Sequence, residues 1–246
     1  MTTESPTPAP CATFRTTQWT QVMRAKADSK EGRQALADLC QAYWYPLYAY
    51  VRRSGYSVHD AQDLTQEFFC QLLEKHWLDA ADRTKGKLRS FLITALKHFM
   101  ANEWRRLATQ KRGGGQPHVP LDTVFAESRY AAEPAAQSGA EELFDQQWAL
   151  TLLDRTFARL QAEFDADSKA SEYEALKGCL MAARGTIDYA AVAAQLSSNE
   201  GAARVAVHRL RARFRALYRE EITQTLADGL DPDEEMRHLA AALARR

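Results

Sequence analysis

Apolar residues recur every three or four positions in the long segments of this chain, and no segment alternates strictly between apolar and polar residues. A spacing of three or four residues is typical of α-helices with one buried face. A half-buried β-strand instead needs strict alternation of apolar and polar residues. From residue 33 to residue 53 such a face includes Tyr43 and its aromatic neighbours, and Gly55 is placed to end the helix. The sequence therefore predicts an all-α protein.

Helical spacing disappears between residues 113 and 140, where Gly, Pro, Ala and Ser dominate. A stretch of this length without periodicity exceeds the usual loop within a domain, so we interpret it as a flexible linker. It separates two predicted helical domains, residues 16–112 and 141–221. A flexible N-terminus (1–15) precedes them, and a tail (222–246) with helical spacing but no assigned role follows.

The formal net charge is zero, but the charges are segregated along the chain. Between residues 57 and 82 six acids accompany one lysine, whereas between residues 83 and 112 nine basic residues accompany one acid. A second basic block, with six arginines against one acid, spans residues 199–219, and an acidic stretch follows it. Such blocks are typical of solvated helix faces, and two separate basic blocks also favour a polyanionic partner.

The acidic block begins with a helix start signal. Ser57 and Asp60 have the spacing of a capping box, which opens a helix predicted to reach about residue 77. Asp60, Asp63 and Glu67 follow the i, i+3, i+7 spacing, so their carboxylates share one face beside the apolar stripe. This face suits a basic partner surface.

The first basic block coincides with a predicted helix from about residue 86 to residue 107. Its inner face is apolar, and we expect Phe91, Phe99 and Trp104 to belong to the core rather than to serve as stacking surfaces. Its outer face is polar and basic and includes Lys97, His98, Asn102, Arg105 and Arg106.

Two further predicted helices, about residues 188–196 and 200–210, are joined by the short polar turn 197–199. Asp188 and Asn199 are placed as N-caps, and small or branched residues allow the helices to cross closely. This pattern favours a helix-turn-helix. The second helix carries an outer stripe suited to the major groove, because guanidinium groups bridge phosphates or guanine edges; its candidates are Arg204, His208, Arg209 and Arg211.

The composition and the cysteine spacing argue against a membrane protein and against a zinc or disulfide protein. No apolar run approaches the length of a membrane span, and residues 1–10 resemble no signal peptide, so we expect no membrane insertion and a cytoplasmic location. Four scattered cysteines have neither zinc-ligand spacing nor an implied disulfide. The sequence predicts no catalytic site, metal or cofactor.

Taken together, the chain resembles an extracytoplasmic-function (ECF) sigma factor, the small two-domain promoter-recognition subunit of bacterial RNA polymerase. Three segments carry the resemblance, in the family's order: the acidic helix 60–69, the basic helix 87–102 with Arg105 and Arg106, and the helix-turn-helix 189–213.

The resemblance implies roles for the candidate residues. Asp60, Asp63 and Glu67 would bind a basic coiled coil of core RNA polymerase. Residues 79–87 and the outer face of the following helix would hold the single-stranded minus-ten element, and the helix-turn-helix would bind the minus-thirty-five element. Promoter DNA and core polymerase are thus the expected partners, and no enzymatic activity is expected.

Several alternatives stay open. Thr65 lies within the acidic helix, where a phosphate would add negative charge, but we favour a half-buried structural threonine; a kinase or an inhibitory partner is not identified. The chain could instead be a helix-turn-helix regulator without a polymerase role, or a helical adaptor. A metal-dependent hydrolase built on His59, Asp60, Asp63 and His76 has only a weak signal.

Overall fold

The computed structural model describes residues 30–74, 86–109, 127, 129–131, 139–183 and 185–245. These residues form α-helices and no named strand, so the all-α prediction is confirmed. The main helices are α1 (Lys30–Arg53), α2 (Val58–Glu74), α3 (Leu88–Thr109), α4 (Ala140–Ala166), α5 (Ala170–Lys177), α6 (Tyr189–Gln195), α7 (Glu200–Thr223) and α8 (Pro232–Ala244). The helical spacing of Trp19, Val22 and Met23 predicts a short first helix; it lies outside the described residues, as do the segments 75–85 and 110–126.

The first hydrophobic core lies between α1, α2, α3 and the first half of α4. Tyr43 of α1 stacks on Trp148 of α4, with ring centroids 4.2 Å apart and planes inclined by 13°. Phe68 of α2 meets Phe99 of α3 at 5.9 Å. The aromatic neighbours of Tyr43 are buried, as the helical spacing predicts.

A second core forms where the second half of α4 meets α5, α6 and α7. Its buried side chains include Leu160, Tyr173, Val192 and Val207. Helices α4 and α7 take part in both cores, because Ile222 at the end of α7 belongs to the first core together with Trp148 of α4. Two helices of the predicted C-terminal domain thus also contribute to the core built on α1, α2 and α3.

Part of the predicted linker contacts α1. Residues 127 and 129–131 are helical, and the Glu127 carboxylate pairs with the Arg52 guanidinium at 2.9 Å. Tyr48 donates a hydrogen bond to the same carboxylate, and the Arg129 guanidinium lies 4.1 Å from the centroid of the Tyr45 ring. Charged and aromatic side chains of α1 therefore contact these positions of the predicted linker.

The tail, residues 222–246, packs against the start of α3. The Leu88 amide donates to the Thr225 carbonyl at 2.8 Å, and the Ala227 amide donates to the Gly86 carbonyl at 2.9 Å. Helix α8 follows and buries Leu239 in the first core. The C-terminal end of the described chain is thus fastened to the helix that carries the first basic block.

Candidate functional site

The acidic surface consists of Asp60, Asp63 and Glu67 on α2. Ser57 caps this helix: its Oγ accepts from the Asp60 amide at 3.2 Å and donates to Asp60 Oδ2 at 2.7 Å. The predicted capping interaction is thereby confirmed, with the hydroxyl rather than the Ser57 amide as the carboxylate's partner.

The carboxylates of the acidic surface face solvent to different degrees. Asp60 and Asp63 are exposed, and Glu67 is half-buried and accepts from Gln71 Nε2 at 2.7 Å. Within the part of the chain that the structure describes, no ion pair to a lysine or arginine involves any of these three residues. Their negative charge is therefore not neutralised by those described cations.

Thr65 lies on the opposite, buried side of the same helix. Its side chain has 0% exposure, and its hydroxyl donates to the Ala61 carbonyl at 2.7 Å. This agrees with the favoured interpretation of a structural threonine, although the burial exceeds the expected half. A kinase could reach this hydroxyl only after the surrounding helices separate.

The basic surface consists of Lys97, His98, Asn102, Arg105 and Arg106 on α3. His98, Asn102 and Arg105 are exposed, and Arg105 donates to Asn102 Oδ1 at 3.2 Å. Lys97 forms an ion pair with Glu141 of α4, and this hydrogen bond raises the pKa of Lys97. The Arg106 side chain lies outside the described residues.

Trp104 lies on α3 beside the basic surface, with 68% of its surface exposed. Its predicted place in the core is therefore wrong, whereas Phe99 is buried and Phe91 is half-buried. The reason is the position of Trp104 near the helix end, where Ala101, Asn102 and Arg105 are also exposed. This part of α3 extends beyond the packed core, so helical spacing no longer implies burial.

Helices α6 and α7 are both capped at their N-termini and pack against each other in the second core. Asp188 Oδ1 accepts from the Ala190 and Ala191 amides at 3.0 Å, and Asn199 Oδ1 accepts from the Ala202 amide at 2.9 Å. Both predicted N-caps are confirmed. The small residues Ala193 and Ala203 are buried in the second core, and Ser197 in the turn has a φ of 49°.

Arg204 lies on the exposed side of α7 at its first turns. Its guanidinium is 4.1 Å from the centroid of the Tyr189 ring and 3.5 Å from Glu200 Oε2. The aromatic ring and the carboxylate restrict its side chain while leaving it exposed. His208 and Arg209 are exposed further along the same helix.

Arg211 differs from these three candidates. Its guanidinium donates to the Cys179 carbonyl at 2.9 and 2.7 Å and to the Ala182 carbonyl at 2.6 Å. The side chain is half-buried and fastens the segment after α5 to α7. Its place on the outer arginine stripe does not make it available in this conformation, because these carbonyls occupy its donors.

Sequence reasoning missed an ion-pair network that joins the start of α3 to α4 and α8. Glu235 is 1% exposed and pairs with Lys87 Nζ and Arg89 Nε, each at 2.6 Å. Arg89 also pairs with Asp145 at 2.7 Å, and His238 Nε2 lies 2.9 Å from Asp145 Oδ2. The only sequence signal for it is the acidic charge of the tail.

The cysteines and the possible metal ligands offer no further candidate site among the described residues. Burial raises the pKa of the Cys40 thiol to about 12, and the side chains of Cys40, Cys70 and Cys179 are all buried; Cys11 lies outside the described residues. Among the side chains that the structure describes, no group of three or more His, Cys, Asp or Glu residues could hold a metal ion. His76 of the hydrolase alternative also lies outside the described residues.

None of the described helices combines the length and apolar character needed to cross a membrane.

No curated protein and no solved structure gives a significant match to the chain. A scan against protein families does give a match, to Sigma-70 region 2 over residues 34–110. This range covers α2, which carries the acidic surface, and α3, which carries the basic surface. The chain therefore contains a Sigma-70 region 2 domain.

Proposed function

We propose that this protein is a sigma factor that binds core RNA polymerase and directs promoter recognition, DNA melting and transcription initiation. The observation that carries the proposal is the Sigma-70 region 2 match over residues 34–110, together with the exposed carboxylates of Asp60 and Asp63. On this proposal the acidic surface meets a basic surface of core polymerase. Charge complementarity there would favour fast association and correct orientation.

The basic surface is the proposed binding site for single-stranded promoter DNA. Arg105 can neutralise phosphates, while His98 and Asn102 offer polar contacts to bases. Trp104 provides an exposed ring on which an unstacked base can lie, and such stacking contributes about 1–3 kcal/mol per base. Capture of an extruded base offsets part of the cost of opening the duplex.

Helix α7 is the proposed recognition helix for the upstream, minus-thirty-five element. Arg204, His208 and Arg209 are its proposed groove or phosphate contacts, because all three are exposed on the helix that follows the turn. Arg211 is left out of this set because its donors are bonded to backbone carbonyls. An ECF-type organisation, with the two DNA-binding domains in this order, is part of the same proposal.

Run-off transcription tests the proposal. Purified core polymerase is assayed on promoter fragments with and without this protein, and we expect specific transcripts only in its presence. The Asp63→Lys variant serves as a matched negative control. Promoter fragments selected from the source genome by binding to the reconstituted holoenzyme would supply the templates.

The geometry of α6 and α7 also supports a second candidate, a helix-turn-helix regulator that binds DNA without joining polymerase. This candidate predicts sequence-specific duplex binding by the chain alone and no core polymerase in pull-down experiments. It leaves the exposed acidic surface without a partner. Retention of core polymerase by the wild-type chain, and its loss in Asp63→Lys, would exclude the regulator.

A further inference from the structure

Tyr189 is the first residue of α6, and its ring meets the proposed recognition helix, α7. The guanidinium carbon of Arg204, Cζ, lies over this ring, 4.1 Å from the ring centroid. An aromatic face attracts a cation within about 6 Å of its centroid, so the two side chains are in close cation–π contact. Tyr189 therefore joins the start of α6 to the first turns of α7.

The Tyr189 ring is itself held in place. The Asp188 carboxylate caps α6 by accepting from the amides of Ala190 and Ala191, which fixes the backbone on both sides of the tyrosine. The Tyr189 side chain is half-buried and packs against the second core. Packing of this kind restricts a ring to few rotamers, so Tyr189 offers the Arg204 guanidinium a platform of fixed position.

The ring of Tyr189 and the carboxylate of Glu200 restrain Arg204 in different ways. Glu200 Oε2 lies 3.5 Å from an Arg204 Nη atom, in an N–H direction that a DNA phosphate could also use. Both partners of this ion pair are exposed, so salt weakens it. The ring instead attracts the delocalised charge and uses none of the five N–H donors. The restraint by Tyr189 can therefore persist when the guanidinium binds a phosphate.

We propose that Tyr189 is a positioning residue for duplex DNA binding, whose ring holds the Arg204 guanidinium on the exposed side of α7 in a position to bind a backbone phosphate. This inference rests on the proposed role of α7 as the recognition helix. An unrestrained arginine loses the freedom of its long side chain when it binds, and this loss weakens binding. Tyr189 lowers that cost because it restricts the side chain before DNA arrives. Helix α6 thus contributes to DNA affinity through α7.

A double-mutant cycle tests the proposal. A binding duplex is selected from a pool of randomised double-stranded DNA by the full chain, with core polymerase where the two associate and alone where they do not. The labelled duplex is then titrated with wild type, Tyr189→Leu, Arg204→Ala and the double variant at several salt concentrations. Tyr189→Phe keeps the aromatic face and is the conservative variant. A control cycle pairs Tyr189→Leu with Arg215→Ala, at an exposed position about three turns further along α7.

We expect Tyr189→Leu to weaken duplex binding by about two- to tenfold, which corresponds to the cost of immobilising one long side chain. The salt slope should stay close to that of wild type, because Arg204 can still reach its phosphate. Tyr189→Phe should retain the affinity. In the Arg204→Ala background the effect of Tyr189→Leu should disappear, whereas with Arg215→Ala the two effects should add.

Urea denaturation identifies any variant whose fold is weakened. If Tyr189→Leu does not fold, phenylalanines with increasing fluorination at position 189 replace it, since fluorine withdraws electron density from the ring face and changes the shape of the ring little. We expect affinity to fall with each added fluorine when Arg204 is present and to stay constant in Arg204→Ala.

Three results would overturn the proposal. They are an equal effect of the ring change with and without the Arg204 side chain, a loss in Tyr189→Phe as large as that in Tyr189→Leu, and a pool from which no duplex is enriched. A loss that is independent of Arg204 would make the ring a structural element or a separate DNA contact.

The outcome is distinguishable from that of the sigma-factor proposal, which run-off transcription tests with the wild-type chain. Active transcription with additive effects of the Tyr189 and Arg204 changes would leave the sigma role standing and remove the positioning role of Tyr189. Non-additive effects without transcription would support the positioning role and remove the sigma role.

Discussion

Asp63 is the sharpest probe of the acidic surface, because it is exposed and, unlike Asp60, has no part in the helix cap. We expect Asp63→Lys to lower affinity for core polymerase by about a hundredfold or more, since a like charge facing a basic partner costs several kcal/mol. Pull-down and competition binding measure the loss. Asp154→Lys, the same change at an exposed position of α4, is the control, and equal binding of both variants would contradict the assignment.

Trp104 is exposed in the structure, whereas its helical spacing predicts a core residue. Because its ring is exposed, Trp104→Ala should leave the thermal unfolding midpoint unchanged. It should weaken binding of the holoenzyme to a forked minus-ten fragment by about 1–3 kcal/mol, or roughly five- to 150-fold. Trp104→Phe should retain much of the affinity. A loss of stability without a loss of DNA affinity would return Trp104 to a structural role.

Arg204 tests the proposed groove surface of α7. We expect Arg204→Ala to weaken binding to the upstream duplex and to reduce the salt slope by about one, as the loss of one phosphate contact requires. Val205→Ala, at the exposed neighbouring position, should leave the slope unchanged. An unaltered slope for Arg204→Ala would show that this guanidinium touches no phosphate.

At the scale of elements, Arg211 links α7 to the segment that follows α5. Arg211→Met would leave the Cys179 and Ala182 carbonyls without these donors, and we expect it to lower the free energy of unfolding by about 1–2 kcal/mol. Urea denaturation measures this change. Arg215→Met, at an exposed position of the same helix, should be nearly neutral. Normal stability of Arg211→Met with a smaller DNA salt slope would instead make Arg211 a phosphate contact.

The elements themselves were largely predictable because their signals are local. The Ser57 cap, the Asp188 and Asn199 caps and the end of α1 at Gly55, whose φ is +97°, follow from residues within one turn. Helical spacing likewise placed Tyr43 and Phe99 in the core. Such features depend on backbone geometry and neighbouring side chains, which the sequence presents directly.

The partners of the charged residues were not predictable in the same way. Lys97 meets Glu141 and Lys87 meets Glu235 only because the chain returns to α3 after the linker. Arg211 and Trp104 show the same dependence on tertiary context, one through distant carbonyls and the other through the extent of the core. The basic block is visible in the sequence, but the sequence does not show which acidic side chains pair with its lysines and arginines.

At the scale of the whole molecule, Glu235 links stability to pH. Burial favours the neutral carboxyl, but hydrogen bonds from Arg89 and Lys87 outweigh burial and hold the pKa of Glu235 below its ordinary value of 4.5. Its charged form is thus favoured in the folded chain. The stabilisation is present above that ordinary value and is lost as the pH falls through the lower folded-state value.

We therefore expect the difference in unfolding free energy between wild type and Glu235→Gln to shrink as the pH falls from about 5 toward 3. Urea titrations of both chains at several pH values measure this difference. Glu234→Gln, on the exposed side of α8, should show a smaller change with pH. A difference that stays constant over this range would show that the ionised form of Glu235 does not hold α8 in place.

Helix α4 also determines how the molecule can be divided for study. Its first half covers Tyr43 in the first core, while its second half supports α5 and α7. A fragment cut before residue 139 would therefore leave an aromatic surface of α1 uncovered and prone to aggregate. Isolation of the Sigma-70 region 2 domain in soluble form requires either the first half of α4 or a replacement for the Trp148 ring.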